Sequence, residues 1–259
     1  MQILTEKESP TFYKCGNFAT QMISYPISWL SVRRLRNLCK LVSTYTKAVL
    51  GMKVPKMAYP YAASFEPANF CNLRCPQCPT GKWLIDKQSQ TLSYSDFCYY
   101  VDALSPYLMY LNLYFQGEPF LNKHLPDMVA YATRKKIFTC LSTNGHFLTD
   151  HVVSQLKAAG LKRLIICVDG ATQESYEKYR VGGNLSVVLA GIKRCVEAKL
   201  PVEVQCLLLE STENEQTTLV DMMKKLGVKK VVFKKAQFYD TYLLPKKKKN
   251  RRYIVKNDG

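Results

Sequence analysis

Short apolar runs alternate with helical stretches from residue 64 to residue 234, and this order of elements limits the fold more than any other feature. The runs predict strands at 64–69, 108–115, 137–142, 163–169, 201–209 and 229–234, with helices at 93–104, 124–135, 150–159, 185–198 and 214–225. Repeated strand–helix units surround a parallel sheet with helices. Because crossovers between parallel strands are right-handed, six units curl into an open α/β barrel, which we predict for residues 61–240.

Three cysteines lie close together in the loop after the first predicted strand: Cys71, Cys75 and Cys78. Their spacing, C-x-x-x-C-x-x-C, supplies three thiolates from one short loop. A cubane iron–sulfur cluster has four irons, so a protein that ligates three of them leaves one iron able to bind another molecule. The triad therefore predicts a [4Fe–4S] site that takes part in chemistry as well as in electron storage.

Zinc and disulfides are the alternatives for these cysteines. Structural zinc takes four ligands, usually as two pairs separated by a longer gap, and neither a second cysteine pair nor His124, His146 and His151 has that spacing. Disulfides need pairing partners, and the ten cysteines are scattered along a sequence without a visible secretory signal. Zinc remains the alternative to iron.

Further motifs fall at the predicted carboxyl ends of the next strands, which is where α/β folds place their chemistry. Gln116-Gly-Glu-Pro119 follows the second strand, Ser142-Thr-Asn-Gly145 follows the third and Cys167-Val-Asp-Gly170 ends the fourth. Each motif alone reads as a turn. Their order after the cysteine triad favours a shared site.

The cysteine loop Phe70-Cys-Asn-Leu-Arg-Cys-Pro-Gln-Cys-Pro79 and the motifs that follow it resemble the radical S-adenosylmethionine (radical SAM) superfamily over residues 60–240. The likeness is strongest to the SPASM-type branch, which modifies peptides and proteins. It implies a partial (β/α)6 TIM barrel. It also implies a [4Fe–4S] cluster on Cys71, Cys75 and Cys78, whose free iron holds the amino and carboxylate groups of SAM.

The resemblance also implies which residues hold SAM. Gly117 and Glu118 match the family's Gly-Gly-Glu motif; a glycine lets a ligand approach the backbone, and a glutamate accepts hydrogen bonds from the SAM ammonium. Ser142 and Asn144 match a segment that contacts the ribose or carboxylate.

Two more contacts follow from the same resemblance. Arg180 lies in Tyr179-Arg-Val-Gly-Gly183 and would pair with the SAM carboxylate through a bidentate guanidinium contact. Gln77 stands where relatives carry an aromatic or apolar residue near the adenine, so its backbone would serve there.

Charge is unevenly spread along the 259 residues, whose net charge is +17. Residues 66–223 hold 15 basic and 16 acidic groups, residues 31–65 hold seven basic groups and no acid, and residues 224–259 hold thirteen basic groups against Asp240 and Asp258. We divide the chain into a basic N-terminal extension with an amphipathic helix (1–60), the core (61–240) and a basic tail (241–259). Such flanks attract polyanions, so nucleic acid and membrane surfaces are candidate partners.

The amphipathic helix, predicted at 30–50, places Leu35, Leu38, Val42, Tyr45 and Val49 on one face, which we expect to pack against the barrel. No run of 18 apolar residues is present, so we expect a cytoplasmic protein. No cysteine follows Cys206. We therefore expect either a truncated SPASM-type protein or a member that works without auxiliary clusters.

The predicted function is reductive cleavage of SAM to a 5′-deoxyadenosyl radical that takes hydrogen from a substrate. An external one-electron reductant of the flavodoxin or ferredoxin type would supply the electron. Lys234 and Lys235 near the barrel mouth suggest an anionic small molecule as substrate, and the family branch suggests a peptide or protein. The alternatives are an iron–sulfur electron-transfer or binding module without SAM chemistry and a zinc-stabilised nucleic-acid module.

Overall fold

The computed structural model describes residues 2–5, 25–54, 58–82 and 88–251. Seven parallel strands form one sheet in the order β1-β7-β6-β5-β4-β3-β2. Their bounds are Gln2–Thr5 (β1), Ala62–Ser64 (β2), Tyr110–Asn112 (β3), Phe138–Thr143 (β4), Arg163–Cys167 (β5), Val202–Leu208 (β6) and Lys230–Lys235 (β7). Strands β2 to β7 pair in chain order, which confirms the predicted partial (β/α)6 barrel.

Seven α-helices accompany the strands in the described residues. Their bounds are Val32–Val49 (α1), Tyr94–Leu104 (α2), Leu125–Arg134 (α3), Asp150–Ala158 (α4), Gln173–Glu177 (α5), Leu185–Glu197 (α6) and Gln216–Lys225 (α7). The side chains of Ser93 and Thr149 cap α2 and α4 by accepting backbone N–H bonds from Asp96 and Val152. None of the described helices has the length and apolar character needed to cross a membrane.

One strand prediction was wrong in its bounds, and one strand was not predicted. The first strand ends at Ser64, because the next residues turn away: Pro67 has no N–H for a ladder, and the Glu66 carboxylate accepts the N–H groups of Gln116 and Gly117 at 2.9 Å. Strand β1 was missed. It adds to β7 in parallel, and a pairing between chain segments so far apart leaves no local sequence signal.

The two faces of the sheet have different neighbours. Leu111, Leu141, Ile166 and other residues of one face pack against the helices in the main core. On the inner face, Tyr110 stacks on Phe138 with ring centroids 5.0 Å apart. Tyr25 and Trp29 join this inner cluster. Residues 25–30 therefore close the amino-terminal end of the barrel.

Helix α1 meets the barrel differently from the prediction. Its buried side chains are polar, Arg34 and Asn37. Arg34 donates to backbone oxygens of residues 29, 105, 135 and 136 at 2.8–2.9 Å. Four of the five apolar residues expected to pack inward, Leu35, Val42, Tyr45 and Val49, are exposed, and Leu38 is half-buried. The expected apolar docking was wrong, because the carbonyls at the ends of α2 and α3 attract the arginine instead.

Candidate functional site

A cleft of about 250 Å³ opens at the carboxyl ends of the strands. The three cysteines of the triad and the six residues predicted to contact SAM all line it: Cys71, Cys75, Cys78, Gln77, Gly117, Glu118, Ser142, Asn144 and Arg180. Residues from the cysteine loop, from the segment after β3, from the end of β4 and from the turn after α5 thus converge. The structure brings every candidate site residue to one place.

The cysteine loop folds tightly on itself. Cys78 donates its backbone N–H to the Cys75 carbonyl at 3.1 Å, and Lys82 donates to the Cys78 carbonyl at 2.9 Å. A Cβ atom on Gly81 would lie 2.5 Å from the Cys75 carbonyl oxygen, so this close turn requires glycine. Sequence reasoning missed Gly81. Its position three residues after the triad was the available signal.

The thiols lie in a desolvated setting with donors nearby. Burial raises the pKa of Cys75 to about 12, against the lowering effect of the Arg180 guanidinium, and burial also raises the pKa of Cys71. Arg180 Nη1 is 3.7 Å from Cys75 Sγ, and Asn144 Nδ2 is 3.7 Å from Cys71 Sγ. A metal deprotonates a coordinating thiol outright, and these donors would then stabilise thiolate charge.

The donor set suits a multi-iron cluster. In the described part of the chain, no three His, Cys, Asp or Glu side chains are grouped closely enough to hold a single metal ion. Each thiolate of a cubane cluster binds its own iron, so a cluster needs three sulfurs around a cavity and not around one point. The three soft thiols lining this cleft meet that need.

Arg180 is held by an aspartate. Its Nε and Nη2 atoms both lie 2.6 Å from Asp169 Oδ2, and Asp169 Oδ1 accepts the Leu207 N–H at 2.6 Å. The Asp169 side chain is 1% exposed. Asp169 therefore engages the Nε and Nη2 edge of the guanidinium, and a bidentate contact of that edge with the SAM carboxylate would compete with Asp169. Sequence reasoning quoted Asp169 only as part of a motif, although a carboxylate at a strand's carboxyl end was a signal.

Glu118 is buried and oriented by three donors. Its carboxylate accepts from Thr143 Oγ1 at 2.7 Å, from the Asn144 N–H at 2.9 Å and from the Phe120 N–H at 3.2 Å. Burial raises the pKa of Glu118 to about 7, although these hydrogen bonds lower it. A cation placed beside Glu118 would favour its charged form.

Gly117 was predicted to let a ligand approach the backbone, but the structure gives a different reason for a glycine at this position. A Cβ atom there would lie 1.9 Å from the Ala68 carbonyl oxygen, so the glycine permits contact with the segment before the triad. The Glu118 N–H donates to the Phe70 carbonyl at 2.9 Å on the same side. The motif after β3 is thereby fixed against the cysteine loop.

The remaining predicted residues are held by neighbours in the cleft. Ser142 Oγ is 3.7 Å from Cys167 Sγ, and Asn144 Nδ2 donates to Asn72 Oδ1 at 2.7 Å. Gln77 is 5% exposed and accepts the Tyr239 N–H at 3.0 Å through its side-chain oxygen. Because its side chain faces the C-terminal segment, the backbone of Gln77 is the part that remains for a ligand.

Fold and donor set together define an iron–sulfur site on a partial TIM barrel. Residues 65–226 match the radical SAM superfamily, and the chain belongs to that superfamily. Members are enzymes that use a [4Fe–4S] cluster and SAM, so the predicted family, enzyme class and cofactors are confirmed.

Curated relatives match about three fifths of this chain. The AdoMet-dependent heme synthase of Methanosarcina barkeri is 27% identical over 158 residues, which are 61% of this chain and 45% of that protein. The GTP 3′,8-cyclase of Hydrogenovibrio crunogenus is 30% identical over 169 residues, 62% of this chain and 49% of that protein. The chain spans less than half the length of these relatives.

Solved structures share the fold. SuiB of Streptococcus suis bound to S-adenosylmethionine gives a TM-score of 0.63 at 16% identity, covering 83% of this chain and 48% of SuiB. Native anSMEcpe with bound AdoMet gives 0.61 at 15% identity, covering 74% and 57%. These structural similarities confirm the predicted partial barrel. The predicted resemblance of this chain to the SPASM-type branch is confirmed at the level of the fold.

Proposed function

We propose that the chain is a radical SAM enzyme in which Cys71, Cys75 and Cys78 hold a [4Fe–4S] cluster and SAM occupies the adjoining cleft. The observation that carries the proposal is the convergence of the triad and the predicted SAM contacts on one cleft. Held by these cysteines and reduced, a cluster would supply the electron for reductive cleavage of SAM, which would make hydrogen abstraction from a substrate carbon possible.

The protein's own side chains bind and orient SAM. The Glu118 carboxylate, fixed by Thr143 and the Asn144 N–H, accepts hydrogen bonds from the SAM ammonium. The Arg180 guanidinium, locked by Asp169, presents Nη1 toward the cluster side and the SAM carboxylate. Ser142 and Asn144 supply polar contacts to the ribose. No protein acid or base is needed for SAM cleavage.

The substrate enters the barrel interior below this cleft and is anionic in our proposal. The inner faces of β5, β6 and β7 carry Arg163, Lys230 and Lys234 against one carboxylate, Glu203. Glu203 already pairs with Arg163 and Lys230 at 2.7 Å. Among the described residues, Lys234 has no carboxylate partner, which supports recognition of a carboxylate or phosphate.

The proposal that the substrate is anionic is tested by replacing one lysine at a time. Lys234→Met removes the inner-face ammonium, and Lys235→Met on the opposite face of β7 is the matched control. With GTP as an anionic probe, calorimetry should show weaker binding for Lys234→Met alone. Absent binding by the unmodified protein, or equal affinities of the two variants, contradicts this part of the proposal.

An electron-transfer module without SAM chemistry is the second candidate. An electron carrier needs thiolates but has no use for the oriented Glu118 carboxylate and the Arg180–Asp169 pair beside them.

Two further predictions remain proposals: a cytoplasmic location, and a peptide as substrate. The fold shared with SuiB, which has also been solved bound to its precursor peptide SuiA, supports a peptide.

Anaerobic assay of SAM cleavage tests the proposed function. The protein is reconstituted with iron and sulfide, reduced with dithionite and given SAM, and 5′-deoxyadenosine is quantified. We expect product from the unmodified protein and none above background from Cys75→Ala. Cys98→Ala, a half-buried cysteine outside the cleft, is the control and should retain activity. No product from the unmodified protein, or full yield from Cys75→Ala, refutes the proposal.

A further inference from the structure

Four exposed lysines, Lys246 to Lys249, follow Leu244 in a segment that packs against the cysteine loop. We propose that Lys247, Lys248 and Lys249 dock an acidic one-electron carrier protein that reduces the cluster. The inference rests on the proposed function and adds to it the place where the electron enters. The carrier loses one electron and the cluster gains it, with no bond formed or broken.

The segment that carries these lysines, residues 236–251, is here termed the C-terminal strap. Its apolar side chains pack against the cysteine loop: Phe238 is fully buried and Leu243 is 7% exposed, in one cluster with Leu73, Cys75 and Tyr179. Asp240 contacts both the Gln77 side chain and the Lys82 ammonium from the same loop. The strap therefore lies directly against the proposed cluster ligands.

A buried glutamate fixes the basic part of the strap. Glu213, which is 3% exposed, accepts the backbone N–H groups of Lys246 and Lys247 at 3.1 Å each and the Asn250 side chain at 3.3 Å. The Glu210 N–H donates to the Leu243 carbonyl at 2.9 Å. Because the carboxylate binds backbone, the four lysine side chains from 246 to 249 stay exposed.

Most of this positive charge is not neutralised. Lys246 pairs with Glu210 at 3.2 Å, and Lys247 Nζ donates to the neutral Asn214 amide at 2.8 Å. In the parts of the chain that the structure describes, no carboxylate lies within ion-pair distance of Lys247, Lys248 or Lys249. A rigid surface with several unpaired cations attracts an acidic partner and speeds its encounter.

The position of the strap favours an electron carrier over other acidic partners. Cys71 and Cys78 are half-buried and pack against the apolar cluster that Phe238 and Leu243 of the strap help to form, so the strap lies next to the proposed cluster ligands. A second basic group, Arg33, Arg36 and Lys40 on α1, lies at the opposite end of the barrel, where α1 contacts the ends of α2 and α3. Of these two basic groups in the described residues, the strap is the one that packs against the cysteine loop.

Binding of a flavodoxin to the cluster-loaded protein tests the inference. The variant carries Lys247→Glu, Lys248→Glu and Lys249→Glu, and the matched control carries Arg33→Glu, Arg36→Glu and Lys40→Glu, an equal charge change on exposed residues. We expect the strap variant to bind about tenfold or more weakly and the control to bind as the unmodified protein does, with added salt removing the difference. Equal affinities of the two variants overturn the proposal.

The rate of cluster reduction separates docking from the proposed function. Reduction by flavodoxin should slow about tenfold or more in the strap variant, whereas reduction by dithionite, a small molecule that needs no docking surface, should be unchanged. Equal slowing with both reductants would show damage to the site and would overturn the docking proposal. Tighter binding of single-stranded RNA than of flavodoxin at the strap overturns it as well. Failure of the proposed function would appear instead as no 5′-deoxyadenosine with dithionite.

Discussion

Arg34 and Arg180 lie at opposite ends of the barrel and differ in what they bind. Arg34, at the amino end, is 4% exposed and donates to the Tyr25 hydroxyl at 2.7 Å and to four backbone carbonyls. Arg180, at the carboxyl end, binds the buried Asp169 carboxylate and faces the Cys75 thiol. The hydrogen-bond partners of Arg34 are all neutral oxygens, although its buried Nε has none among the described residues, whereas Arg180 pairs with a carboxylate beside the Cys75 thiol.

The difference separates a structural end of the fold from a chemical one. Neutral carbonyls at helix ends accept a guanidinium without needing any ligand. A buried ion pair next to thiols gains little stability of its own, because both charges have lost their water. The second arrangement therefore indicates a site arranged for a ligand, and replacing each arginine should have different consequences.

Arg180→Met should have the largest effect. It leaves Asp169 buried without its cation, which costs about 3–5 kcal/mol in the free energy of unfolding. A second variant, Arg180→Met with Asp169→Asn, removes the unpaired charge and should regain part of that stability, as urea unfolding would measure. SAM cleavage should stay absent in both. Recovery of activity together with stability would show that Arg180 acts only through folding.

Arg34→Met tests the other end of the comparison. Loss of its charge-assisted hydrogen bonds should lower the free energy of unfolding by about 2–3 kcal/mol. Arg34→Lys, which keeps a charge but fewer donors, should lose less. Because this end does not touch the cleft, 5′-deoxyadenosine yield per folded molecule should equal that of the unmodified protein. A reduced yield per folded molecule would contradict the separation of the two ends.

Gly81→Ala tests the packing that shapes the cysteine loop. The added methyl group would meet the Cys75 carbonyl oxygen at 2.5 Å, so the loop must shift at a cost of about 1–3 kcal/mol. Iron bound per chain after reconstitution should fall. Thr80→Ala at the neighbouring position is the control and should load iron normally. Equal iron content in the two variants would show that the turn at Gly81 is not needed for the loop.

The smallest predicted effect is a pH dependence within the barrel interior. Burial acts to raise the pKa of Glu203, but Arg163 and Lys230 outweigh it and lower that pKa below its usual value. A lowered carboxyl pKa contributes stability above the unfolded pKa of about 4.3 and loses it as pH falls through the folded value. The stability difference between the unmodified protein and Glu203→Gln should therefore be constant near neutral pH and shrink below about pH 4. A difference that does not change with pH would contradict this assignment.

Sequence reasoning predicted the carboxyl end far better than the amino end. The triad and the motifs near Glu118 and Asn144 can be recognised from the sequence, because their short spacings and their positions at strand ends determine where those residues lie. Arg34 gave no such signal, because its partners are backbone carbonyls. Tertiary packing brings those carbonyls to the arginine, and their residue types do not reveal it. Glu66 and Asp169 were missed as partners for the same reason: a buried hydrogen bond between distant loops depends on where the backbone turns, which local patterns do not encode.

The central claim is that three cysteines hold a cluster with one iron left open for SAM. Electron paramagnetic resonance of the anaerobically reconstituted, dithionite-reduced protein tests it most directly. We expect the signal of a reduced [4Fe–4S] cluster whose g-values change when SAM is added, because the ligand at the open iron changes. A signal that SAM leaves unaltered, or a preparation that binds zinc and no iron, would contradict the claim.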